Sequence, residues 1–332
     1  MKHRTIGLDS VGEIGLGCMG MSWAYGSPDD AESIRTLNRA LELGINFWDT
    51  ADVYGSGKNE ELLSKVLKDR RDDVFLATKF GNVFDRAMTS HQDLVAANAP
   101  WIVDGTPEYI KKAFDQSIKR LGVDHIDLYY QHRVDDRVPI EETVGAMKEL
   151  VDQGKVRYIG LSEVGVETIE RARKVAPITA VQNELSLWTR DFEDDVLPYT
   201  EQNGITFVAY SPLGRGFLTG EIKKFEDLAE TDGRRNMPRF QGDNFETNLK
   251  LVSVVEEIAA RKCVAPAQIA LAWVLAQGEH VIPIPGTKRV KWLEQNALSA
   301  GVQLTSEDLD ELKSLEGTGD RYGMTGMAFL KR

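Results

Sequence analysis

The stretch Ile14-Gly15-Leu16-Gly17-Cys18-Met19-Gly20-Met21 spaces its glycines as G-x-G-x-x-G, and its reading decides the fold. In a Rossmann domain such glycines join a strand directly to a helix. The helix N-terminus takes the pyrophosphate, and an acidic residue about 20 positions on binds the ribose. Here Gly20 is followed by "MSWAYGSPDD", and helical periodicity starts only near Pro28 to Ala31. The glycines therefore belong to a loop, and a tight turn with close backbone packing is the better reading.

Outward from Ile14–Gly17, short β-type runs alternate with helical patterns. The runs are Ile45–Trp48, Val74–Thr78, Ile126–Tyr130, Arg157–Gly160, Ala180–Gln182, Ile205–Ala209 and Val281–Pro283, which with the first make eight. Between them lie amphipathic helices, one carrying Ile110, Ala113, Phe114, Ile118 and Leu121 on a single face, another Val144, Met147, Leu150 and Val151. Several end in glycine just before the next strand, as in "LELGINF", "VDQGKVRYIG" and "EQNGITF", which suits a left-handed C-cap. With no Gly/Ser/Pro-rich linker, the pattern predicts one α/β domain over residues 1–332, a closed (β/α)8 TIM barrel. The preceding "RTIGLDSVGEIGL" resembles a short β-hairpin able to plug the opposite end. Two long loops, Phe80 to Thr106 and Pro212 to about Phe245, follow the third and seventh barrel strands. Both fall on the face where barrel enzymes place their chemistry.

Bulk properties narrow the function classes. Of 332 residues, 42% are hydrophobic and 28% charged, and 52 acidic against 40 basic residues give a formal charge of −12. That balance argues against nucleic acid or an anionic membrane as partner, so any phosphate must be held locally. No apolar run approaches the roughly 18 residues of a membrane span, and the first residues lack a signal-peptide core, so the expected location is the cytoplasm. Cys18 and Cys263 offer neither a C-x-x-C nor a Cys/His cluster, and both read as small buried residues.

The chemistry-bearing residues fall at successive strand ends. In "INFWDTADVYGSGKNEELL", Asp49 ends the second barrel strand and Tyr54 follows five residues later. Lys79 ends the third, in "FLATKFG", and His132 the fourth, in "DLYYQHR". Each alone has an ordinary structural reading as cap, core edge or solvated strand end. Together at one barrel mouth they form a candidate catalytic group.

These segments, with "GLGCMGMS", "GKVRYIGLSE", "VQNELS", "AYSPLGRGFLTG" and "IPGTKRVKWLEQN", resemble the aldo-keto reductase superfamily over nearly the whole chain. The likeness is closer to subgroups with bacterial and plant reductases, and to potassium channel β subunits, than to mammalian aldose reductases. It implies NADPH-dependent reduction of an aldehyde or ketone. Tyr54 matches the family's general acid, Lys79 and Asp49 the groups that tune it, and His132 the residue that polarises the carbonyl. A phenol of pKa about 10 donates poorly near neutrality, and a nearby ammonium would lower that value.

For the cofactor, NADP(H), the resemblance implies Cys18, Met19 and Asp49, with Tyr210 stacking on the nicotinamide and Ser162 and Gln182 holding its carboxamide. Ser211, Pro212, Leu213 and Gly216 match the pyrophosphate loop. Gly286, Thr287, Lys288 and Arg289 match the surroundings of the 2′-phosphate, and Gln295 and Asn296 those of adenine. Two departures stand out: Glu163 where many members have Asn, and Gln295 where Glu is common. Trp23, Tyr25, Phe80 and Trp101, with the long loops, would line a pocket for an apolar or aromatic small-molecule carbonyl.

Two rival readings carry less. A regulatory NADP-binding module like the channel subunits would have Asn at position 132, where this chain has His. A metal-dependent barrel hydrolase would show His-x-His or paired strand-end carboxylates, and histidines at 3, 91, 125, 132 and 280 offer no such pair. The oligomeric state is not legible in the sequence.

Overall fold

The computed structural model describes residues 1–83, 102–230, 232–327 and 330. The chain opens with an antiparallel hairpin, β1 (His3–Ile6) and β2 (Asp9–Gly12), paired from His3↔Gly12 to Ile6↔Asp9. Eight parallel strands follow: β3 (Leu16–Gly17), β4 (Phe47–Asp49), β5 (Phe75–Phe80), β8 (Ile126–Gln131), β9 (Val156–Ser162), β10 (Ala180–Glu184), β11 (Thr206–Tyr210) and β12 (Val281–Pro283). They lie in sequence order, and a parallel bridge between Gly17 and Gly286 joins the last connection back to the first strand. Each predicted strand is present, as is the predicted hairpin.

The opening glycines have a mechanical explanation in this ring. Gly15 N–H donates to the Pro283 carbonyl at 2.9 Å and Gly17 N–H to Pro285 at 3.3 Å, closing the seam between β3 and β12. A Cβ on Gly15 would lie 2.7 Å from the Phe47 ring, and one on Gly17 2.8 Å from the Ile284 carbonyl oxygen. Only glycine lets the backbones approach this closely. At Gly20 the nearest obstacle is the Tyr25 ring, at 3.3 Å. A short 3₁₀ turn, Met19–Met21, follows the seam, and the first long helix, Asp30–Glu42, waits for its N-cap Asp29.

Inside the barrel, Phe47, Phe75, Ala77, Leu128, Tyr130, Val208 and Ile282 pack together with Ile6 and Val11 of the hairpin. The hairpin caps the end where the strands begin. Thr206 Oγ1 donates to the Thr5 carbonyl at 2.9 Å, and Arg4 donates to the carbonyls of Gly278 at 2.7 Å, Leu275 at 3.0 Å and Val281. The helices lie outside and end as the sequence suggests, with Gly44, Gly154 and Gly204 at φ of 80°, 71° and 65°.

The long loops carry more structure than expected. The loop after β5 begins with β6 (Asn82–Val83), paired antiparallel with β7 (Ile102–Val103); residues 84–101 between them, including Trp101, lie outside the described residues. The loop after β11 winds through short 3₁₀ turns from Gly214–Thr219 to Pro238–Phe240, and its helix starts at Gly242, slightly earlier than read from the sequence. Cys263 is exposed rather than buried, because it is the left-handed C-cap of that helix at φ 55°. Among the described residues, no single helix is long and apolar enough to cross a membrane.

If the glycines serve the seam, Gly17→Ala should destabilise the protein by about 1–3 kcal/mol, as overpacking typically does, while Gly20→Ala should stay within about 0.5 kcal/mol. Urea unfolding of both variants checks this. Equal effects would contradict the seam.

Candidate active site

Strand parity decides which residues reach the barrel mouth. Along β5, Ala77 packs inside the barrel while Phe80 packs outside against Tyr129, ring centroids 5.0 Å apart. Lys79, two residues beyond Ala77, shares its inward parity. Its ammonium is fully buried and donates to Asp49 Oδ1 on neighbouring β4 and to the Thr50 carbonyl at 2.9 Å. The other Asp49 oxygen accepts from Gln182 Nε2 of β10 at 2.8 Å. Both carboxylate oxygens thus meet donors, which a buried charge requires.

Tyr54 arrives on a loop that other buried polar groups pin in place. Gly55, Ser56 and Gly57 all have positive φ (59°, 54° and 90°), turning the chain into the helix Lys58–Arg70. The first turn of that helix anchors the loop. Asn59 Nδ2 donates to the Cys18 carbonyl at 2.9 Å, Asn59 Oδ1 accepts from Thr50 Oγ1 at 2.6 Å, and fully buried Glu60 accepts from Thr78 and Arg120 at 2.7 and 2.6 Å. The result sets Tyr54 Oη 3.4 Å from Lys79 Nζ, which donates to it. His132, just past β8, stands edge-on to the Tyr54 ring with centroids 5.9 Å apart, and its backbone N–H donates to the Phe80 carbonyl at 2.8 Å.

Burial dominates the electrostatics. It would pull Lys79 down, but Asp49 and Tyr54 carry the ammonium above its ordinary value. Burial also pushes the Asp49 carboxyl up, with Lys79 opposing it; two donors on its oxygens favour the ionised pair. His132 is held well below its ordinary value by burial, then by the Arg133 and Lys79 charges, so it is neutral at pH 7. For Tyr54 the expected direction is reversed: burial raises the phenol above its ordinary value against the pull of Lys79.

A cavity of about 1010 Å³ opens over these groups. Asp49, Tyr54 and His132 line it, and so do Trp23 and Tyr25. Met19, Ser162, Gln182 and Tyr210 lie on its wall, followed by Ser211, Pro212, Leu213 and Gly216. Gly286, Thr287, Lys288, Arg289, Gln295 and Asn296 line it as well. Lys79 lies beneath the wall, and two residues expected to contact cofactor or substrate are also absent from it. Phe80 points outward into the core by strand parity, and Cys18 is fully buried with Leu16 and Trp48 in the packing outside β3. Trp101 falls outside the described residues.

Several side chains are already engaged. Lys288 Nζ donates to the carbonyls of Tyr25 at 2.8 Å and Ser27 at 2.7 Å, tying the loops after the first and last barrel strands together; Arg289 is exposed. Glu163 is fully buried at φ 55°, where its carboxylate accepts from Glu184 N–H at 2.9 Å and from Arg321 at 3.0 Å.

The structure adds Arg133, Arg321 and Tyr322 to the residues that the sequence marks. Arg133 is buried next to His132 and lines the cavity, donating to the His132 carbonyl at 2.6 Å and to Ser162 Oγ at 3.3 Å. Arg321 anchors the C-terminal segment to Glu163 and Glu184 and so presents Tyr322, whose hydroxyl accepts from Arg215 at 2.7 Å and lies 3.3 Å from that of Tyr210. Only the adjacency of Arg133 to His132 was legible; nothing local marks residues 321 and 322. Among the described residues, no group of three or more His, Cys, Asp or Glu is placed to hold a metal ion.

An eight-stranded parallel barrel with a buried Asp–Lys pair, a tyrosine and a neutral histidine at the strand ends defines a barrel enzyme equipped for proton transfer. The chain belongs to the aldo/keto reductase family, whose model matches residues 13–316. It is 44% identical over 328 residues to "Aldo-keto reductase yakc [NADP(+)]" of Schizosaccharomyces pombe, covering 96% of this chain and 94% of that protein. It is 45% identical over 325 residues to "Probable aldo-keto reductase 1" of Glycine max, covering 97% and 90%. Among solved structures it is similar to the glycerol dehydrogenase AKR11B4 from Gluconobacter oxydans, with a TM-score of 0.83 and 32% identity over 94% of each chain.

Proposed function

We propose that the protein reduces aldehydes or ketones to alcohols with NADPH, Tyr54 supplying the proton. The observation that carries this reading is the buried Lys79, held by Asp49 and donating to Tyr54 Oη at 3.4 Å on the cavity wall.

The cavity suits a dinucleotide in its donor chemistry. Ser211, Gly214, Arg215 and Gly216 have positive φ, turning successive backbone groups within one short loop, an arrangement favourable to phosphate oxygens. In the proposed binding mode this loop takes the pyrophosphate, Tyr210 faces the nicotinamide, and Ser162 and Gln182 lie near its carboxamide. Met19 and Asp49 border the same end. Gln295 and Asn296 lie near adenine, with Gly286, Thr287, Lys288 and Arg289 around the 2′-phosphate. When bound, the reduced nicotinamide supplies the hydride.

The chain's own residues supply the rest. Because Lys79 donates to Tyr54 Oη, the phenol's own hydrogen is free for the substrate oxygen. Burial keeps the phenol protonated, so it is loaded before reaction. Once the proton has left, the phenolate faces the Lys79 ammonium, and that is where the cation acts, on charge that exists only late in the reaction. Asp49 holds the ammonium in place. Neutral His132 can donate a hydrogen bond to the carbonyl without carrying a competing charge. Trp23, whose ring lies 5.7 Å from that of Tyr54, and Tyr25 would receive an apolar or aromatic part of the substrate.

NADPH oxidation measured with a carbonyl panel that includes 4-nitrobenzaldehyde tests the activity. Tyr54→Phe should lower kcat by about 10²- to 10⁴-fold, the usual worth of general acid catalysis, with NADPH binding retained. A near-normal kcat in that variant, with the chemical step limiting, would remove Tyr54 from the mechanism.

Cofactor choice should rest on Arg289 more than Lys288, whose ammonium already serves two carbonyls. Arg289→Ala should weaken NADPH binding roughly ten- to a hundredfold, the loss of charge-assisted hydrogen bonds, and leave NADH nearly unchanged. Fluorescence titration with both cofactors checks this; equal losses would make Arg289 a structural residue.

A further inference from the structure

Asn82 is a polar residue that the fold leaves without a partner. Its side chain is 4% exposed, and neither Oδ1 nor Nδ2 has a hydrogen-bond partner. It nevertheless lines the same cavity as Tyr54 and His132. Burying an amide with both ends unsatisfied costs stability unless something that enters the cavity completes it.

Its place in the barrel says what enters. The Phe80 carbonyl accepts from His132 N–H at 2.8 Å, so the chain from Phe80 to Asn82 leaves β5 alongside His132, and a Cβ on Gly81 would lie 3.9 Å from the His132 nitrogen. Barrel strands β5 and β8 are neighbours, whereas the residues assigned above to the cofactor follow mainly β9 to β12. Asn82 therefore stands on the substrate side, next to the histidine that faces the reacting carbonyl. An amide offers one acceptor and two donor hydrogens. A hydroxyl, itself donor and acceptor, can use either end of it.

We propose that Asn82 is a specificity-determining residue that hydrogen-bonds a hydroxyl group adjacent to the reacting carbonyl, so that the favoured substrates are α-hydroxy aldehydes or ketones. This rests on the reductase reading above. The aromatic wall at Trp23 and Tyr25 receives the remainder of such a molecule, while Asn82 reads the oxygen next to the carbonyl. A site built to hydrogen-bond a substrate hydroxyl discriminates strongly against the analogue that lacks it, because its own polar group is then left unpaired.

The test uses acetophenone and 2-hydroxyacetophenone, which differ by that one hydroxyl, with saturating NADPH and the parent, Asn82→Leu and Asn82→Ala proteins. The parent should prefer the hydroxyketone, and both variants should lose about tenfold of that preference in kcat/KM, mainly through KM. Thermal unfolding supplies the second readout: removing an amide that bonds to nothing in the protein should not lower the melting temperature of Asn82→Leu. If both substrates lose kcat/KM by the same factor, or the variant melts well below the parent, Asn82 is structural and the proposal fails while the reductase reading stands. If the parent binds NADPH but turns over neither ketone nor any aldehyde, the reductase reading itself fails and the proposal with it.

Discussion

A lysine ammonium with no exposed surface sits at the centre of this structure, and the barrel mouth is arranged around the cost of keeping it there. A buried charge is tolerable only when its hydrogen-bonding positions are filled, and removing one member of such a pair leaves the other uncompensated. Lys79 is satisfied from adjacent β4 by Asp49, from the next residue by the Thr50 carbonyl, and from the loop by Tyr54. Asp49 in turn reaches across the barrel to Gln182 on β10. These bonds fix the relative positions of strands far apart in sequence. A fold seeking stability alone would do as well with apolar side chains, since well-packed hydrophobic replacements of buried ion pairs are often neutral or stabilising.

The other end of the barrel is closed by different means. The seam at Gly15 and Gly17 relies on missing side chains, and the hairpin fills the ring with Ile6 and Val11 while Arg4 bonds carbonyls around β12. A glycine pattern that resembles a nucleotide loop in the sequence thus serves closure. The backbone after β11 turns through positive φ at Ser211, Gly214, Arg215 and Gly216, two glycines and two residues that are not glycine.

What was legible in the sequence follows from this division. The eight strands could be read because parallel strands, covered on both faces, appear as short apolar runs, and glycine C-caps punctuate the helices between them. Asp49, Tyr54, Lys79 and His132 could be read because each lies at or just beyond a strand end. Phe80 and Cys18 were misplaced for a single reason: a side chain one position along a strand faces the opposite way. The Arg321 anchor beneath Tyr322, and Glu163 as its partner, depend on residues 158 apart meeting in the interior, and no local pattern encodes that encounter. The direction of the Tyr54 shift was missed because it depends on burial, which outweighs the nearby charge.

The most direct test of this account compares Lys79→Met with the double variant Lys79→Met/Asp49→Asn. Loss of Lys79 alone should cost about 3–5 kcal/mol in unfolding free energy, the usual penalty for stranding a buried charge. Neutralising Asp49 as well should recover much of that stability without restoring turnover. A stable, folded and inactive double variant would show that the pair is kept for its effect on Tyr54. A single variant as stable as the parent, or a double variant that regains the parent's rate, would contradict the account.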